Sequence, residues 1–467
     1  MSQPSDSASS PTRIRPPGAR CSVTRTLNSA FEMPWSRCRQ RSSSRASRRC
    51  ASIQVCQSSH SSGCSVRGST MPESYRAQEL SRQLRSHRVV ASTSVGNGRR
   101  QLMERTVVVV GGGFGGTLVA KSLDAEADVT LIDPREAFVN AAASLRALTR
   151  PDWAPHAFFP YDTLLAHGRV LRDRAVSVDP AGVTLASGGR VEAEFLVLAT
   201  GSGYPYPAKP NPASTSVARQ LDDLRATHKE LAGAGRVLIL GAGPVGLELA
   251  GEITEVWPDK RVVIVDRNAQ LLPGFLPEVR DELRHHLAEL GIEVRLGTGL
   301  TGLPQVEPGR AGRFAATTDQ GDEIVADIWF RAHGVRVDTG YLADGRLTTL
   351  TEQATVPVTE RLTVPGHEHV YAIGDIVALA DPKMASYAMT QAEVVVRNIR
   401  AQLAGEQPDT VHVVTPDRRI LLPLGTRTGV GQLPTPDGVA AATPQTVQER
   451  KGADLFTARF ADRFNQP

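Results

Sequence analysis

Cysteines, long apolar runs and targeting signals are missing from most of this 467-residue sequence. All five cysteines lie between Cys21 and Cys64, and their spacings match no common metal-ligand pattern. The rest of the chain can therefore form neither an internal disulfide nor a redox-active thiol pair. No stretch reaches the roughly 18 apolar residues of a membrane span, and no secretory signal pattern opens the chain. We expect a cytoplasmic protein, or one held peripherally on the inner face of a membrane.

Acidic residues are scarce in the first 102 residues, which hold 17 arginines against four acidic side chains. Residues 103–467 reverse that balance, with 36 basic and 45 acidic side chains. The basic isoelectric point of the whole chain therefore comes from residues 1–102, here called the leader. The leader is rich in Arg and Ser and lacks hydrophobic periodicity, which is typical of disorder. Three interpretations stay open: a transit-type peptide, a disordered tail, or a start at Met103 with residues 1–102 untranslated.

A glycine fingerprint follows a strand of β-branched residues twice in the chain. The first fingerprint follows Thr106–Val110 and consists of Gly111, Gly112, Gly113, Phe114, Gly115 and Gly116, with Asp133 ending the next strand. The second fingerprint follows Arg236–Leu240 and consists of Gly241, Ala242, Gly243, Pro244, Val245 and Gly246, with Asp266 ending the next strand. Strand, glycines and terminal carboxylate together are typical of a dinucleotide-binding unit. The sequence therefore predicts two nucleotide sites.

Each part of a fingerprint has its own physical role. The first glycine permits a tight turn, the second lets the backbone approach a pyrophosphate, and the third lets the helix pack closely on the strand. The helix directs its free N–H groups and positive dipole end at the diphosphate. A carboxylate at Asp133 or Asp266 accepts hydrogen bonds from a ribose diol and repels a 2′-phosphate. Asp266 therefore favours NADH, with NADPH as the alternative because Arg267 lies beside it.

Two further segments have the pattern of strands that return to a nucleotide. Phe195–Ala199 ends in Thr200 and Gly201, and His369–Ile373 ends in Gly374 and Asp375. A long helix is predicted from about Met384 to Leu403. Helices are also predicted at 114–123, 141–148 and 277–290, and strands at 411–414 and 420–424.

These motifs resemble the flavoprotein oxidoreductases with two dinucleotide-binding domains, and more narrowly the apoptosis-inducing-factor-like, ferroptosis-suppressor-type NAD(P)H:quinone oxidoreductases. The narrower resemblance rests on the first fingerprint and on Leu145-Arg146-Ala147, Val370–Asp375, Pro382-Lys383-Met384-Ala385 and Gly429–Gln432. The chain departs from that family at Arg331-Ala332-His333-Gly334, where a Cys-Thr-Gly or Ala-Thr-Gly turn is usual.

The resemblance implies an α/β fold with two Rossmann-like dinucleotide-binding domains and a small C-terminal α+β domain. After the leader at 1–102, an FAD domain would occupy 103–232 and 356–405. An NAD(P)H domain would be inserted at 233–355, and the C-terminal domain would follow at 406–467.

The resemblance also assigns roles to individual residues. Asp133 would contact the adenosine ribose of FAD and Asp375 its ribityl or pyrophosphate side, while Glu248 would orient the nicotinamide carboxamide. Lys383 would place a cation near the pyrimidine side of the flavin, where the amino end of the long helix also points. Further cofactor contacts are expected at Arg146, Thr200, Gly201, Gly334, Gly374, Met384 and Ala385. No metal site and no nucleic-acid partner are expected.

The implied function is hydride transfer from NADH to FAD and onward to a quinone or other small acceptor. Two alternatives stay open: a reductase of a small iron–sulfur protein, and a redox-sensing flavoprotein with slow turnover. The C-terminal stripe, comprising Leu455, Phe456, Phe460 and Phe464, could touch a membrane surface, pack on the domain or form a homodimer contact.

Overall fold

The structure is a computed structural model that describes residues 105–414 and 416–466. Its strands are β1 (Thr106–Val110), β2 (Asp128–Ile132), β3 (Ala137–Val139), β4 (Phe158–Pro160), β5 (Arg169–Leu171), β6 (Ala175–Asp179), β7 (Gly182–Leu185), β8 (Arg190–Glu192), β9 (Phe195–Leu198), β10 (Ser202–Gly203), β11 (Arg236–Leu240), β12 (Arg261–Val265), β13 (Glu293–Arg295), β14 (Phe314–Thr317), β15 (Glu323–Ala326), β16 (Ile328–Arg331), β17 (Arg336–Val337), β18 (Thr363–Val364), β19 (His367–Ala372), β20 (Ile420–Leu424), β21 (Thr428–Thr435) and β22 (Gly438–Ala442). Its α-helices are α1 (Phe114–Leu123), α2 (Ala141–Thr149), α3 (Val217–Gly233), α4 (Pro244–Val256), α5 (Pro277–Glu289), α6 (Ala385–Leu403), α7 (Pro444–Val447) and α8 (Thr457–Arg463).

The first fingerprint follows the central strand of a six-stranded sheet with the order β18-β19-β9-β1-β2-β5. All neighbours in it are parallel except β18 and β19. Its central strands are buried on both faces, as expected for parallel strands covered by helices. The pair β9–β19 brings Leu196 opposite Val370, so this sheet takes strands from both sides of the second fingerprint. That connectivity accords with an FAD unit divided in sequence, and the domain boundaries themselves stay predictions.

The second fingerprint follows β11 in a four-stranded parallel sheet with the order β13-β12-β11-β16. The antiparallel hairpin β14–β15 covers one face, and its Ile324 and Ala326 share a core with Trp329 of β16. Two parallel sheets, each with a fingerprint at the carboxyl end of a central strand, make this the α/β architecture that the sequence predicts.

The C-terminal residues form an antiparallel sheet, β20-β21-β22, followed by short helices. Phe460 and Phe464 of the C-terminal stripe are completely buried, and Leu455 is only 2% exposed. Both phenylalanine rings pack on Phe138 of the first unit, with centroids 4.9 and 5.5 Å away. Packing on the domain, one of the three open interpretations, is therefore the one that these residues adopt. A membrane-facing stripe was wrong for them, because their side chains do not reach the surface.

The strand expected at 411–414 was also wrong, since this segment belongs to no sheet. The His412 N–H donates to the Glu360 carbonyl at 2.7 Å. The valines that suggested a strand are exposed, Val413 to 68%. No helix within 105–414 or 416–466 is long and apolar enough to cross a membrane.

Candidate functional site

The turn of the first fingerprint has the geometry of a phosphate cradle. Gly111 adopts φ +104°, and a Cβ there would lie 2.5 Å from the Ala199 carbonyl oxygen. A Cβ on Gly116 would overlap the carbonyl oxygen of Gly111, whereas one on Gly113 would meet nothing within 4 Å. The first and third glycines are thus required by packing, and the second faces open space. The space beside Gly113, which a side chain would occupy, can hold a diphosphate at the amino end of α1.

The second fingerprint repeats this geometry. Gly241 adopts φ +115°, and a Cβ there would lie 2.6 Å from the Ala332 carbonyl oxygen. A Cβ on Gly246 would overlap the Gly241 carbonyl oxygen, while Gly243 again faces open space. Pro244 is the first residue of α4, where the missing N–H costs no helical hydrogen bond. Val245, the next residue, completes the predicted set.

The fourth and fifth residues of the first fingerprint meet other parts of the fold. Phe114 packs edge-on against Phe138, with ring centroids 5.1 Å apart. A Cβ on Gly115 would lie 2.9 Å from Ile373 Cδ1 and 3.1 Å from the Ala388 carbonyl oxygen. Only glycine therefore allows α1 to approach α6 this closely, and the amino ends of the two helices converge.

Asp133 is a buried carboxylate beside the first fingerprint. Its Oδ2 accepts the Gly112 N–H at 2.7 Å. Arg135 donates to both carboxylate oxygens, from Nε to Oδ1 at 2.9 Å and from Nη2 to Oδ2 at 2.7 Å. Burial alone would raise the pKa of Asp133, but the charge and hydrogen bonds of Arg135 outweigh it and hold the pKa below its ordinary value. The Tyr161 hydroxyl donates to the Gly112 carbonyl at 2.8 Å, and its burial raises its own pKa. Asp133 is therefore an ionised acceptor next to the cradle.

Asp266 occupies the matching position beside the second fingerprint. Its Oδ2 accepts the Ala242 N–H at 2.6 Å, which repeats the bond between Gly112 and Asp133. Its Oδ1 accepts from the backbone and side-chain nitrogens of Asn268 at 2.7 and 2.8 Å. Asp266 is half-buried, and no arginine pairs with it in the described residues.

Thr200 and Gly201 lie where β9 leaves the first sheet. The Thr200 hydroxyl donates to the Asp338 carbonyl at 2.6 Å and contacts Tyr341 Oη at 3.1 Å. Gly201 adopts φ +67° and its carbonyl accepts the Asp338 N–H at 2.9 Å. The short pair β10–β17 follows directly, so this segment joins the two nucleotide units.

Gly374 and Asp375 end the return strand β19 beside the amino end of α6. Gly374 adopts φ +78°, and its N–H donates to Gln391 Oε1 at 2.7 Å. Asp375 Oδ2 accepts from Ser202 Oγ at 2.5 Å, and Lys209 Nζ lies 3.2 Å from the same hydroxyl. Burial lowers the pKa of Lys209, and the nearby Asp375 opposes that shift.

A small, partly open cavity lies beside this strand end, at the amino end of α6. Its lining includes Gly374, Asp375, Lys383, Met384, Tyr387 and Ala388. Met384 precedes the first helical residue, Ala385, so the free N–H groups of α6 point towards the cavity. Lys383 is exposed and donates to the Asp375 carbonyl oxygen. The predicted flavin-side residues are thus brought together.

Glu248 lies on α4, immediately after the second fingerprint, and pairs with a residue that sequence reasoning missed. Lys451 of the C-terminal domain donates to Glu248 Oε1 at 2.6 Å and to the Leu421 carbonyl at 2.9 Å. Burial raises the pKa of Glu248 in spite of this cation. Burial and Glu248 together raise the pKa of the nearby Tyr204 to about 12. The Lys451 contact joins positions 203 residues apart, which no local pattern reveals.

Arg146 has partners that differ from the predicted cofactor contact. It is 2% exposed, its Nε donates to Glu252 Oε1 at 2.9 Å, and Nη1 donates to the Gly452 carbonyl at 2.8 Å. Nη2 reaches Glu252 at 2.9 Å and the Gly425 carbonyl at 3.4 Å. Every nitrogen of the guanidinium is therefore bonded to protein, and Arg146 joins α2, α4 and the C-terminal residues; its contact with the cofactor stays a prediction.

Gly334 lies in the segment that departs from the family pattern. It adopts φ +88°, and a Cβ there would lie 3.0 Å from Arg331 Nη2. Burial and Arg331 lower the pKa of His333, which precedes it. Within the described residues, no group of three or more histidine, aspartate or glutamate side chains could hold a metal ion.

Sequence reasoning missed several residues that contact the predicted site residues: Arg135, Tyr161, Ser202, Lys209, Gln391 and Lys451. Arg135 alone had a local signal, because it stands two residues after Asp133. The others come from distant parts of the chain.

The paired cradles and their flanking carboxylates define a protein that binds two dinucleotides, and comparison with known proteins identifies its family. The chain belongs to the pyridine nucleotide-disulphide oxidoreductase family, whose model matches residues 105–393. It is an NAD(P)H-dependent flavoprotein oxidoreductase with FAD and NAD(P)H as cofactors.

Three known proteins, two by sequence and one by structure, are similar to this chain over most of its length. Ferroptosis suppressor protein 1 of Taeniopygia guttata is 31% identical over 334 residues, which cover 70% of this chain and 88% of that protein. Apoptosis-inducing factor homolog B of Dictyostelium discoideum is 25% identical over 381 residues, covering 78% and 98%. The sulfide:quinone oxidoreductase structure from Aquifex aeolicus has a TM-score of 0.62 at 17% identity, covering 78% and 92%. The resemblance stated from the sequence is confirmed.

Proposed function

We propose that this protein oxidises NADH and passes the electrons through FAD to a quinone-type acceptor. The observation that carries the proposal is the combination of two dinucleotide cradles with a complete absence of cysteine after residue 64. A disulfide acceptor needs a redox thiol pair beside the flavin, and the nucleotide units contain none. A small acceptor that takes electrons directly from the flavin fits better.

FAD would lie on the first fingerprint. The amino end of α1 would face its diphosphate, Asp133 its adenosine ribose, and Asp375 its ribityl side. When bound, FAD accepts a hydride from the nicotinamide and passes two electrons onward. The chain's own residues position the two cofactors and stabilise charge. Lys383 and the amino end of α6, which begins after Met384, lie at one cavity and would supply positive potential where negative charge develops.

Glu248 and Lys451 would act at the nicotinamide side. Because Lys451 holds the carboxylate of Glu248 in one orientation, Glu248 can present its other oxygen to a carboxamide N–H. The C-terminal domain would in this way help to complete the site that the second fingerprint begins. Asp266, with no arginine paired to it in the described residues, would accept the ribose diol of NADH.

The proposal is tested by anaerobic mixing of the full-length holoenzyme with NADH, followed by one addition of a soluble quinone while flavin absorbance is recorded. Fast bleaching and fast quinone-driven recovery are expected. A long-lived charge-transfer band that quinone does not discharge would instead support the redox-sensing flavoprotein or the iron–sulfur protein reductase. Recovery on addition of a ferredoxin alone would single out the latter.

A matched variant sharpens this experiment. Lys451→Met removes the cation that fixes Glu248, and we expect slower flavin bleaching by NADH with no change in recovery by quinone. Equal slowing of both half-reactions would contradict the role assigned to Glu248 and Lys451.

A further inference from the structure

Arg463, at the end of α8, is a buried cation without a carboxylate partner among the described residues. It is 8% exposed, and its Nη1 donates to the Phe114 carbonyl and to Thr117 Oγ1, both at 3.1 Å. Its Nη2 lies 3.5 Å from Met389 Sδ, and the guanidinium stands 5.3 Å from the Phe460 ring centroid. The charged group that acts on it among residues 105–414 and 416–466 is another cation, Arg459.

Such an arrangement is unfavourable by itself. Moving an ion from water into a protein interior costs several kcal/mol unless a counter-charge repays it. Burial and Arg459 accordingly lower the pKa of Arg463 to about 10, so the side chain is still charged at neutral pH. Carbonyl, hydroxyl and thioether partners satisfy its hydrogen bonds but supply no negative charge.

The position of Arg463 indicates where the missing negative charge belongs. Phe114 and Thr117 form the first turn of α1, the helix of the first fingerprint, and Met389 lies on the second turn of α6. These helices approach closely enough that a Cβ on Gly115 would lie 3.1 Å from the Ala388 carbonyl oxygen. The amino ends of two helices and one guanidinium therefore lie together at the first turn of α1, which begins directly after Gly113.

We infer that Arg463 supplies part of the positive potential that holds the diphosphate of FAD, so that α8 of the C-terminal domain belongs to the cofactor site. The ligand chemistry is a diphosphate carried by the fingerprint backbone, with Arg463 acting from behind the first turn of α1. By bonding the Phe114 carbonyl, Arg463 also fixes the turn whose N–H groups face the phosphates. The inference concerns FAD binding and does not depend on the quinone acceptor.

A purely structural role is the competing explanation, because the same helix buries Phe460 and Phe464 in an aromatic cluster. The two explanations predict different results for a substitution that removes the charge of Arg463 and for one that removes packing. Loss of packing lowers stability whatever the charge, whereas loss of the cation weakens FAD binding in a fold that is still intact.

The test dilutes holoenzyme and records the fluorescence of released FAD to obtain its dissociation constant. Arg463→Gln should raise that constant by about tenfold or more, since a hydrogen bond from a charged group is worth roughly ten- to a hundredfold in affinity. Arg463→Lys keeps the charge and should restore affinity to within about threefold of wild type. Arg459→Gln, an exposed change on the same helix, should leave the constant unchanged.

Phe464→Leu provides the packing control. It should lower the melting temperature while FAD affinity stays within about threefold of wild type, since it removes no charge. An unchanged FAD constant in Arg463→Gln would overturn the inference, as would equal FAD loss in Phe464→Leu and Arg463→Gln. A holoenzyme that shows the Arg463 effect but does not reduce quinone would refute the proposed function alone.

Discussion

The two nucleotide units of this protein share a backbone design and differ in the charges around it. In both, a glycine turn follows a central strand, and the next residue donates its N–H to the carboxylate that ends the neighbouring strand. Asp133 is 2% exposed and forms an ion pair with Arg135, whereas Asp266 is half-buried and accepts hydrogen bonds from neutral Asn268. The comparison shows that the fingerprint encodes the cradle, while residues outside it set the charge and exposure of the flanking carboxylate.

The C-terminal residues cover both units. They contact the first unit through Phe460, Phe464 and Arg463. Against the second unit, Leu422 and Leu424 of β20 share a hydrophobic core with α4, and Lys451 bonds Glu248. The units therefore differ at their carboxylates: the buried, neutralised Asp133 suits a resident cofactor such as FAD, and the more exposed Asp266 suits NAD(P)H, which must leave after each turnover.

The largest expected effect comes from filling the third glycine of each unit. Gly116→Ala should give protein without FAD, and Gly246→Ala should keep FAD but raise the NADH KM by about 100-fold, because misplacing the cofactor by an ångström has effects of that size. Flavin absorbance and NADH titration measure the two outcomes. Retention of FAD by Gly116→Ala would break the assignment of the first unit to FAD.

The next effect concerns the charge beside each cradle. Arg135→Met leaves Asp133 buried without its cation and should reduce the free energy of unfolding by about 3–5 kcal/mol. Asn268→Ala, the matched change in the second unit, should cost less than about 1 kcal/mol. Urea unfolding at pH 7 gives both values, and equal losses would contradict the comparison.

The ion pair of Asp133 and Arg135 predicts that the free energy of unfolding depends on pH. The pKa of Asp133 is lowered in the folded state, so its stabilising contribution is present above its ordinary pKa of 3.8 and is lost as the pH falls through the folded value. The stability difference between wild type and Arg135→Met should therefore narrow as the pH approaches and passes below 3.8. A difference that widens on acidification would show that Asp133 is not the group responsible.

A smaller effect is expected at the second carboxylate. Asp266→Ala should lower kcat/KM for NADH by about 10- to 100-fold, the value of a charged hydrogen bond, and should leave NADPH less affected. Steady-state kinetics with both nucleotides give the ratio. Parallel losses for NADH and NADPH would mean that Asp266 supports the turn and does not select the cofactor.

The smallest effect is expected at Lys383, which is exposed and bonds only a backbone carbonyl in the described residues. Lys383→Gln should change the rate of flavin reduction by about threefold or less, since solvent screens an exposed charge. Stopped-flow reduction by NADH measures it. A loss of about 100-fold would restore Lys383 to the catalytic role suggested by the resemblance.

Local sequence pattern was sufficient to predict the helices and strands beside the two nucleotide sites. The helix predicted at 114–123 has those bounds, and the long helix begins one residue later than predicted, at Ala385. The strand expected at 411–414 failed, because alternating valines describe a strand only where another edge is available for pairing. The protein partners of Arg146 could not be predicted from local pattern either, since an arginine's partner is set by what the fold brings to it.

The sequence by itself determined the two cradles, their flanking acids and the α/β class, because these depend on residues within one βαβ unit. Glycine content, strand periodicity and a carboxylate about 20 residues on are all local quantities. Only the tertiary structure decided that Lys451 meets Glu248, that Arg146 is a joint, and that Arg463 lies behind the first fingerprint. Those contacts span 106 to 349 residues, and their energies depend on burial, which is a property of the assembled fold and not of any segment of the sequence.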